Sequence, residues 1–404
     1  MIRRLQKYTL YLYCFSINFE TWDPFHTGVD FLITKVTVLL YLSATILNYK
    51  SFYSFKGIKY FIYPILLFFS LLTFMSLKNR TSEYSTFLDI SFFLNLTVLL
   101  IAINHEKREP KILLKCLYVF SFSTMLITIM FFFNIDTSYA LDNRITIFKA
   151  NANEIGVVLS ITMLALLSII HENKLRLGKS RYLLYITFPF MFVFLVQTGS
   201  RLAFISLLLG TLVFLFLNKS KISIKKLISI FSVLIILFVI WAFFLKNSFI
   251  TERLTSSITE GDLSQRDVLW LSALELIPKH LIWGQGETGY AFNITIFSGR
   301  YSSPHNVIIE ILSYTGVVGL ILFLTFLVRI NICAIRIFKI NKEVLPILLL
   351  IPILGMIFSA QILGNKIAWF IFSYIIANSL SKSFDQRIGK CDSFIIKKNH
   401  NLNT

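Results

Sequence analysis

The segment PHNVIIEILSYTGVVGL, residues 304–320, places a histidine and an asparagine directly before a long apolar run. Imidazole titrates near neutral pH and can accept or donate a proton, so His305 is a candidate general base for a hydroxyl nucleophile. Asn306 begins the apolar run, so His305 is expected to lie at the boundary between the membrane and the outer aqueous phase. Glu310 lies inside the run, where acids are functional candidates, although it can also reach the lipid headgroups. The alternative is that His305 has no catalytic role and only makes polar contacts at the membrane interface.

Two arginines are predicted to lie at the starts of helices. The sequence TGSR predicts a tight turn that places Arg201 in the first turn of a helix. In LSQRDVLWLSALELIP, Ser264 with an acid three residues later resembles a capping box, so a helix starts at about 265 and stops before Pro278. Arg266 therefore also lies in a first turn. Apolar positions cover much of this helix, which favours a helix lying on the outer membrane interface.

A positive side chain in the first turn of a helix opposes the helix macrodipole by roughly 0.3–1 kcal/mol. Arg201 and Arg266 therefore indicate a bound anion, which the free N–H groups of a helix start also attract. Guanidinium groups match phosphate oxygens in pairs, so phosphate is the expected anion. The alternative is that each arginine reaches lipid headgroups or pairs with Asp267 or another nearby acid.

Two further segments contain candidate substrate-binding residues. In WGQGETGY, the backbone N–H groups near Gly284 and Gly286 can form an anion-binding nest, although loop glycines usually only make turns. NANEIG, residues 151–156, opens another apolar run with Asn153 and Glu154, for which helix capping is the alternative role. The sequence contains no HExxH motif, Walker loop or Cys/His cluster, so it predicts no metal or nucleotide site.

The composition requires a membrane around these groups. The chain has 404 residues, of which 56% are hydrophobic and only 15% charged, whereas soluble domains are about 45–50% apolar and about 25% charged. Four widely spaced cysteines predict neither a disulfide framework nor a thiolate metal site. The basic and then apolar start, MIRRLQKYTLYLYCFSI, has no small-residue cleavage site and is interpreted as an uncleaved first span.

Continuous apolar runs predict an all-α polytopic membrane protein, because membrane β-strands would alternate. About twelve runs are long enough to span a bilayer. Their approximate ranges are 6–19, 30–48, 59–77, 86–104, 112–133, 154–171, 182–198, 202–217, 227–245, 304–328, 344–362 and 365–381. Lys and Arg concentrate in every second connection, which the positive-inside rule assigns to the cytoplasm together with both termini. Topology therefore explains the net charge of +18, and no nucleic-acid partner is expected.

One long segment interrupts this pattern on the opposite, outer side. The predicted organisation is nine spans over residues 1–245, a large extracytoplasmic loop with short helices over 246–303, three spans over 304–381 and a basic cytoplasmic tail over 382–404. A connection of about sixty residues is far longer than usual, and such loops are usually functional. The cytoplasmic loops are too short for an ATPase or nucleotide-sugar transferase domain, so any chemistry is predicted at the outer face.

The order and spacing of these motifs resemble the O-antigen ligase and O-antigen polymerase superfamily of bacterial envelope-glycan enzymes. The resemblance rests on TGSRLAF (198–204), QRDVLWLSALELIPKHLIWGQGETGY (265–290) and PHNVIIEILSYTGVVGL (304–320), with NANEIG (151–156) as an upstream signature. It covers roughly the second half of the chain. It implies a GT-C-like membrane glycosyltransferase that takes a glycan from undecaprenyl diphosphate and needs no nucleotide sugar. No cofactor is expected.

The resemblance also implies roles for individual residues. The family's basic residues, which hold the lipid diphosphate, correspond to Arg201 and Arg266, and its catalytic-loop histidine corresponds to His305. His305 is expected to deprotonate or orient the acceptor hydroxyl, with Asn306 as a second orienting group and Arg300 as a further diphosphate contact. Fixed guanidinium charges can stabilise the leaving diphosphate in place of a divalent metal, so no metal is expected.

These residues leave three functions open. A polymerase, which adds the growing chain to another lipid-linked repeat unit, is favoured over a ligase, which adds it to lipid A core sugars, because the first half of the chain is divergent. A flippase or other transporter is less favoured, since the spans hold few charges, chiefly Lys35, Asp89 and Lys115.

Expected partners are an undecaprenyl-diphosphate-linked oligosaccharide, membrane lipid and a chain-length regulator. The expected location is the bacterial inner membrane, with the site facing outwards.

Overall fold

The computed structural model describes most of the chain in separate stretches. These are residues 1–25, 33–79, 90–139, 144–172, 178–217, 266–298, 303–358 and 362–380. The predicted ninth span (227–245), the first part of the predicted outer loop and the predicted tail lie outside the described residues. Arg300, the proposed further diphosphate contact, also lies outside them.

The described residues are predominantly helical, as the continuous apolar runs predict. In chain order the α-helices are α1 (Ile2–Ser16), α2 (Ile33–Ile46), α3 (Tyr49–Phe52), α4 (Lys59–Lys78), α5 (Ile90–Arg108), α6 (Ile112–Phe132), α7 (Ala152–Glu172), α8 (Thr187–Gln197), α9 (Arg201–Leu217), α10 (Arg266–Leu276), α11 (Gly286–Ser298), α12 (Val307–Asn341), α13 (Leu345–Met356) and α14 (Lys366–Leu380). Short 3-10 helices cover Ile17–Phe19, Gly178–Ile186 and Ile277–His280. Each predicted span within the described stretches coincides with one of the α-helices.

The lengths of these helices fit a membrane protein. Within the described stretches, 4 helices are long and apolar enough to cross a bilayer, namely α4, α6, α7 and α12. Shorter apolar helices accompany them, namely α2, Arg181–Gln197, α9, α13 and α14. The all-α membrane class is therefore confirmed for this part of the chain, while the number of about twelve spans stays a prediction.

A small β-hairpin between α6 and α7 departs from the all-α prediction. Its strands, β1 (Thr137–Tyr139) and β2 (Ile145–Ile147), pair antiparallel, with Ser138 opposite Thr146. Threonine, isoleucine and tyrosine dominate both strands and favour extended backbone. The segment is too short and too polar to span a bilayer, so it lies at one end of the helical bundle.

Helix α12 is interrupted, a feature that the continuous apolar run at 304–328 did not predict. Gly316 has φ 62° and ψ −164°, a conformation that is essentially restricted to glycine. The part from Val317 to Asn341 is long enough to span a membrane alone, since about 20 residues suffice. Glu310 therefore lies in a short first part of α12, before the spanning part.

The segment 281–285 lies against this break. The Val317 N–H donates to the Leu281 carbonyl at 2.9 Å, and the Gln285 N–H donates to the Ser313 carbonyl at 3.0 Å. A break in a helix leaves backbone N–H and C=O groups without their usual partners, and such groups need new partners where water is absent. The segment 281–285 supplies them.

Helix α7 packs closely against α9. A Cβ atom on Gly156 would lie 2.7 Å from Ser200 Cβ, and the Ser160 hydroxyl donates to the Ala203 carbonyl at 2.7 Å. Small residues allow helices to approach in lipid, and interhelical hydrogen bonds of hydroxyl groups stabilise the contact. Helix α13 packs against both helices, so these three form a compact unit that fixes the start of α9.

Candidate functional site

Arg201 lies at the start of a helix, as the TGSR motif predicts. Gly199 has φ +62°, which allows the chain to reverse tightly between α8 and α9. Thr198 and Ser200 are buried in this turn. Helix α9 begins at Arg201, whose side chain is half-buried. The turn therefore fixes the arginine at the end of the bundle where α8 stops.

Arg266 begins α10, again as predicted, and a 3-10 turn that contains Pro278 follows the helix. Ala273 is fully buried, whereas Leu271 and Leu274 are 62% and 46% exposed. A helix with apolar residues both against the protein and on its uncovered face suits a position at the membrane interface. The predicted helix and its end at the proline are therefore confirmed.

The loop before α12 holds His305 in an unusual backbone conformation. His305 has φ +49°, and non-glycine residues in this left-handed region cost about 1–3 kcal/mol and concentrate at functional sites. Its side chain is half-buried. The Trp270 indole N–H donates to the Pro304 carbonyl at 2.8 Å. This bond joins α10, the helix that begins with Arg266, to the residue directly before His305.

Asn306 is the N-cap of α12. Its Oδ1 accepts from the Ile308 N–H at 3.0 Å and from the Ile309 N–H at 3.3 Å, which satisfies two of the free donors of the helix start. The Val307 N–H donates to the Ile357 carbonyl at 2.8 Å. Capping engages the side-chain oxygen of Asn306, so its amide NH₂ is the group left to orient a hydroxyl.

Helix α13 joins the Arg201 turn to the His305 loop. A Cβ atom on Gly355 of α13 would lie 2.6 Å from Leu202 Cδ2, so α9 and α13 touch one residue beyond Arg201. The residue after α13, Ile357, carries the carbonyl that binds the start of α12. The elements that carry Arg201, Arg266 and His305 thus meet at one end of the bundle, hereafter the His305 end.

Glu310 belongs to a buried polar group at this end. It is 3% exposed, and its Oε2 has no hydrogen-bond partner. Gln285 Nε2 and Ser313 Oγ are also buried without a partner, and the backbone bond between Gln285 and Ser313 holds these residues side by side. Buried polar atoms are nearly always satisfied by protein, water or ligand. The group is therefore a candidate for binding substrate hydroxyls, and a substrate-binding role of Glu310 stays a prediction.

Gly284 and Gly286 make close backbone contacts. Both have positive φ, +70° and +72°. A Cβ atom would lie 2.4 Å from the Tyr314 carbonyl oxygen at Gly284 and 2.4 Å from the Ser76 backbone nitrogen at Gly286. Any side chain would collide there, so packing accounts for both glycines. Their part in an anion-binding nest stays a prediction.

The NANEIG segment opens α7 with a capped turn. Asn151 Oδ1 accepts from the Asn153 N–H at 2.9 Å, and Asn153 Oδ1 accepts from Arg144 Nη1 at 3.2 Å. Capping therefore explains Asn151, while the Asn153 side chain holds the end of the hairpin through Arg144. Glu154 is half-buried in the first turn of α7 and lines a cavity.

Lys366 and Glu20 form an ion pair that the sequence analysis missed. Lys366 Nζ binds Glu20 Oε1, and the side chains are 5% and 44% exposed respectively. Both line the same cavity as Glu154. A signal was present: Lys366 begins the last predicted span on the side that the positive-inside rule depletes of lysine.

The helices define a multi-pass helical membrane protein, and one end of its bundle carries Arg201, Arg266 and His305 at or beside helix starts. Residues 186–324 match the sequence model of the O-antigen ligase family. This segment contains Arg201, Arg266 and His305, and the match confirms the resemblance to the O-antigen ligase and polymerase superfamily. No curated protein matches the chain.

Proposed function

We propose that this protein transfers a glycan from undecaprenyl diphosphate to an acceptor hydroxyl at the outer face of a bacterial inner membrane. One contact carries the proposal, the hydrogen bond from the Trp270 indole to the Pro304 carbonyl at 2.8 Å. It joins the helix that begins with Arg266 to the loop that holds His305. The family match over residues 186–324 supports glycosyl transfer in general.

In the proposed reaction, the acceptor oxygen bonds to the anomeric carbon while the bond from that carbon to the diphosphate oxygen breaks. His305 takes the proton of the acceptor hydroxyl, and the diphosphate leaves with the bonding electron pair. Arg201 and Arg266 stabilise the negative charge that develops on the leaving group, and Arg300 is the proposed third contact. Because these guanidinium groups supply the positive charge, we expect the reaction to continue in EDTA.

Polymerisation of lipid-linked repeat units is the reaction that we favour. The family match leaves out the first half of the chain, and this supports the divergence expected of polymerases. Such an enzyme is expected to work beside a chain-length regulator.

Ligation to lipid A core sugars is the second candidate, favoured by the description of the matched family as O-antigen ligase. A transporter is less favoured because Arg201 and His305 lie at helix starts and not near the bilayer midplane.

Deletion of the gene, followed by gel separation of the cell-surface glycan, tests the reaction. A single repeat unit on its acceptor is the result expected for a polymerase. A bare acceptor with polymer still attached to undecaprenyl diphosphate would identify a ligase. An unchanged surface glycan would overturn the proposed function.

Initial rates of glycan transfer in membranes from complemented cells test the residues. We expect His305→Ala, Arg201→Ala and Arg266→Ala each to lower the rate by at least about 100-fold, as loss of a general base or of a stabilising charge does. His280→Ala and Arg336→Ala are matched controls, because both side chains are exposed, and they should retain the wild-type rate. Wild-type rates for all three site variants would contradict the assignment.

A further inference from the structure

A cavity of about 360 Å³ with a mixed polar and apolar lining opens at the His305 end of the bundle. Its volume lies within the range of about 300–1,000 Å³ that is usual for small-molecule sites. Its apolar walls include Phe148 and Val158. Its polar lining consists of Asn18, Glu20, Thr21, Lys35, Glu154, Asn365 and Lys366.

Helix α7 separates this cavity from the Arg201 turn. Glu154 and Val158 line the cavity, whereas Gly156 and Ser160 contact α9. With 3.6 residues per turn, these pairs lie on opposite faces of the helix. The cavity is therefore a separate site, yet it lies beside the first turns of α7 and so at the same end of the bundle.

The charge of the lining distinguishes this cavity from a diphosphate site. Two carboxylates, Glu20 and Glu154, face two ammonium groups, Lys35 and Lys366, and one pair is already joined as an ion pair. A site for a diphosphate needs an excess of positive charge, and the described lining has none. Balanced donors and acceptors beside apolar walls suit a neutral ligand with many hydroxyl groups.

Asn18 carries an unused acceptor in this lining. Its amide NH₂ donates to Ser123 Oγ at 2.6 Å and to Thr124 Oγ1 at 3.0 Å. Its Oδ1 is buried and has no hydrogen-bond partner. A buried oxygen without a donor is destabilising, and the hydroxyl group of a ligand can donate to it.

The aromatic wall is held in a strained conformation. Phe148 and the following Lys149 have φ of +57° and +56°, which is rare for a bulky residue and marks functional sites. The Phe148 ring packs on Trp22 at 5.6 Å and on Phe19 at 5.7 Å between centroids. The Trp22 indole in turn donates to Asp136 before the hairpin at 2.8 Å. The ring is thereby fixed beside the polar groups.

We infer that this cavity binds a sugar residue of the acceptor glycan, remote from the bond that forms. The identity of the glycan rests on the proposed function, whereas the carbohydrate chemistry rests on the lining of the cavity. Sugar hydroxyls bind Glu154, Asn18 and the Lys366–Glu20 pair, and the apolar face of the sugar ring packs against Phe148. The acceptor then passes α7 to bring its reacting hydroxyl to His305.

Binding of lipid-free oligosaccharides, cut from the surface glycan of the host cell, tests this inference by saturation-transfer NMR on the purified full-length protein in detergent. Val158→Phe fills the cavity, and Glu154→Gln removes one charge without changing shape. Both are expected to weaken binding at least tenfold. Val328→Phe is the matched control, because Val328 is 54% exposed on α12, and it should bind as wild type does. Each variant is first shown to elute as a single monodisperse peak.

The possible outcomes distinguish failure of the inferred sugar site from failure of the proposed glycan transfer. Wild-type binding by Val158→Phe, or absence of binding to the wild-type protein, would overturn the inference. If Val158→Phe weakens oligosaccharide binding but gene deletion leaves the surface glycan unchanged, the inferred sugar site is supported and the proposed reaction is contradicted. If deletion alters the glycan and Val158→Phe raises the acceptor KM at unchanged kcat, both are supported.

Discussion

Single residues at the His305 end combine structural and chemical roles. Asn306 caps α12 with its side-chain oxygen, and Arg201 begins α9 two residues after the left-handed Gly199. Capping and turn formation are local, so the sequence predicted both helix starts. The left-handed conformation of His305 has no such local signal, because histidine seldom adopts it unless the surrounding structure imposes it.

Two substitutions of Asn306 separate capping from orientation of the substrate. Asn306→Ala should lower the stability by about 1 kcal/mol, because the N–H groups of Ile308 and Ile309 lose their acceptor. Asn306→Asp keeps a capping oxygen and should keep the stability, but it loses the amide donor. The measurements are the thermal midpoint in detergent and the transfer rate. A wild-type rate for Asn306→Asp would contradict an orienting role of the amide.

Among the elements, helix α12 is broken at Gly316. The break is possible because a segment distant in sequence supplies hydrogen-bond partners to the backbone groups beside it. The run VIIEILSYTGVVGLILF is apolar and contains no proline, so it predicts a continuous helix. Gly316 nevertheless leaves the helical region. The Ile282 carbonyl oxygen lies 2.3 Å from where a Cβ atom would be, so only glycine fits there. The segment 281–285 satisfies the backbone groups beside the break. The hydropathy of the run is an average over its residues, and it contains no information about contacts with the segment 281–285.

Replacement of Gly316 by alanine tests this packing. Gly316 and Gly178 share φ +62°, but a Cβ atom at Gly316 would lie 2.3 Å from the Ile282 oxygen, whereas at Gly178 no atom lies within 4 Å. Gly178→Ala should therefore cost only about 1 kcal/mol of backbone strain. Gly316→Ala should cost at least about 2 kcal/mol more, since the backbone itself must move. Equal thermal midpoints of the two variants in detergent would contradict the observed contact.

In the whole molecule, the His305 end gathers groups from distant parts of the chain. Glu20 follows α1, Glu154 lies in the first turn of α7, and Lys366 begins α14. The positive-inside rule predicts that this end faces outwards, because the connections at the opposite end hold most of the lysines and arginines. The outward orientation is part of the proposed function, because a lipid-linked glycan is used there.

Cysteine labelling tests this orientation. The native cysteines within the described stretches are buried, so only Cys391 needs replacement by serine. Tyr139→Cys on the hairpin and Tyr182→Cys before α8 introduce thiols at positions that are 75% and 52% exposed. In spheroplasts, a membrane-impermeant maleimide should label Tyr139→Cys at once and Tyr182→Cys only after permeabilisation. The reverse order would invert the topology and exclude the proposed outer site.

The sequence by itself determined the features that depend on near neighbours. Apolar runs defined the membrane class, the TGSR turn placed Arg201, and Pro278 ended the helix of Arg266, because each signal acts within a few residues. The same local reasoning placed His305 beside an apolar run.

Only the tertiary structure decided which of these groups meet. Lys366 binds Glu20 across 346 residues of chain, and the bond from Trp270 to Pro304 joins two elements across 34 residues. Neither pairing has a periodic or spacing signature, since the partners are chosen by how the helices pack. The cavity and the break at Gly316 depend on the same packing, and for this reason the sequence did not predict them.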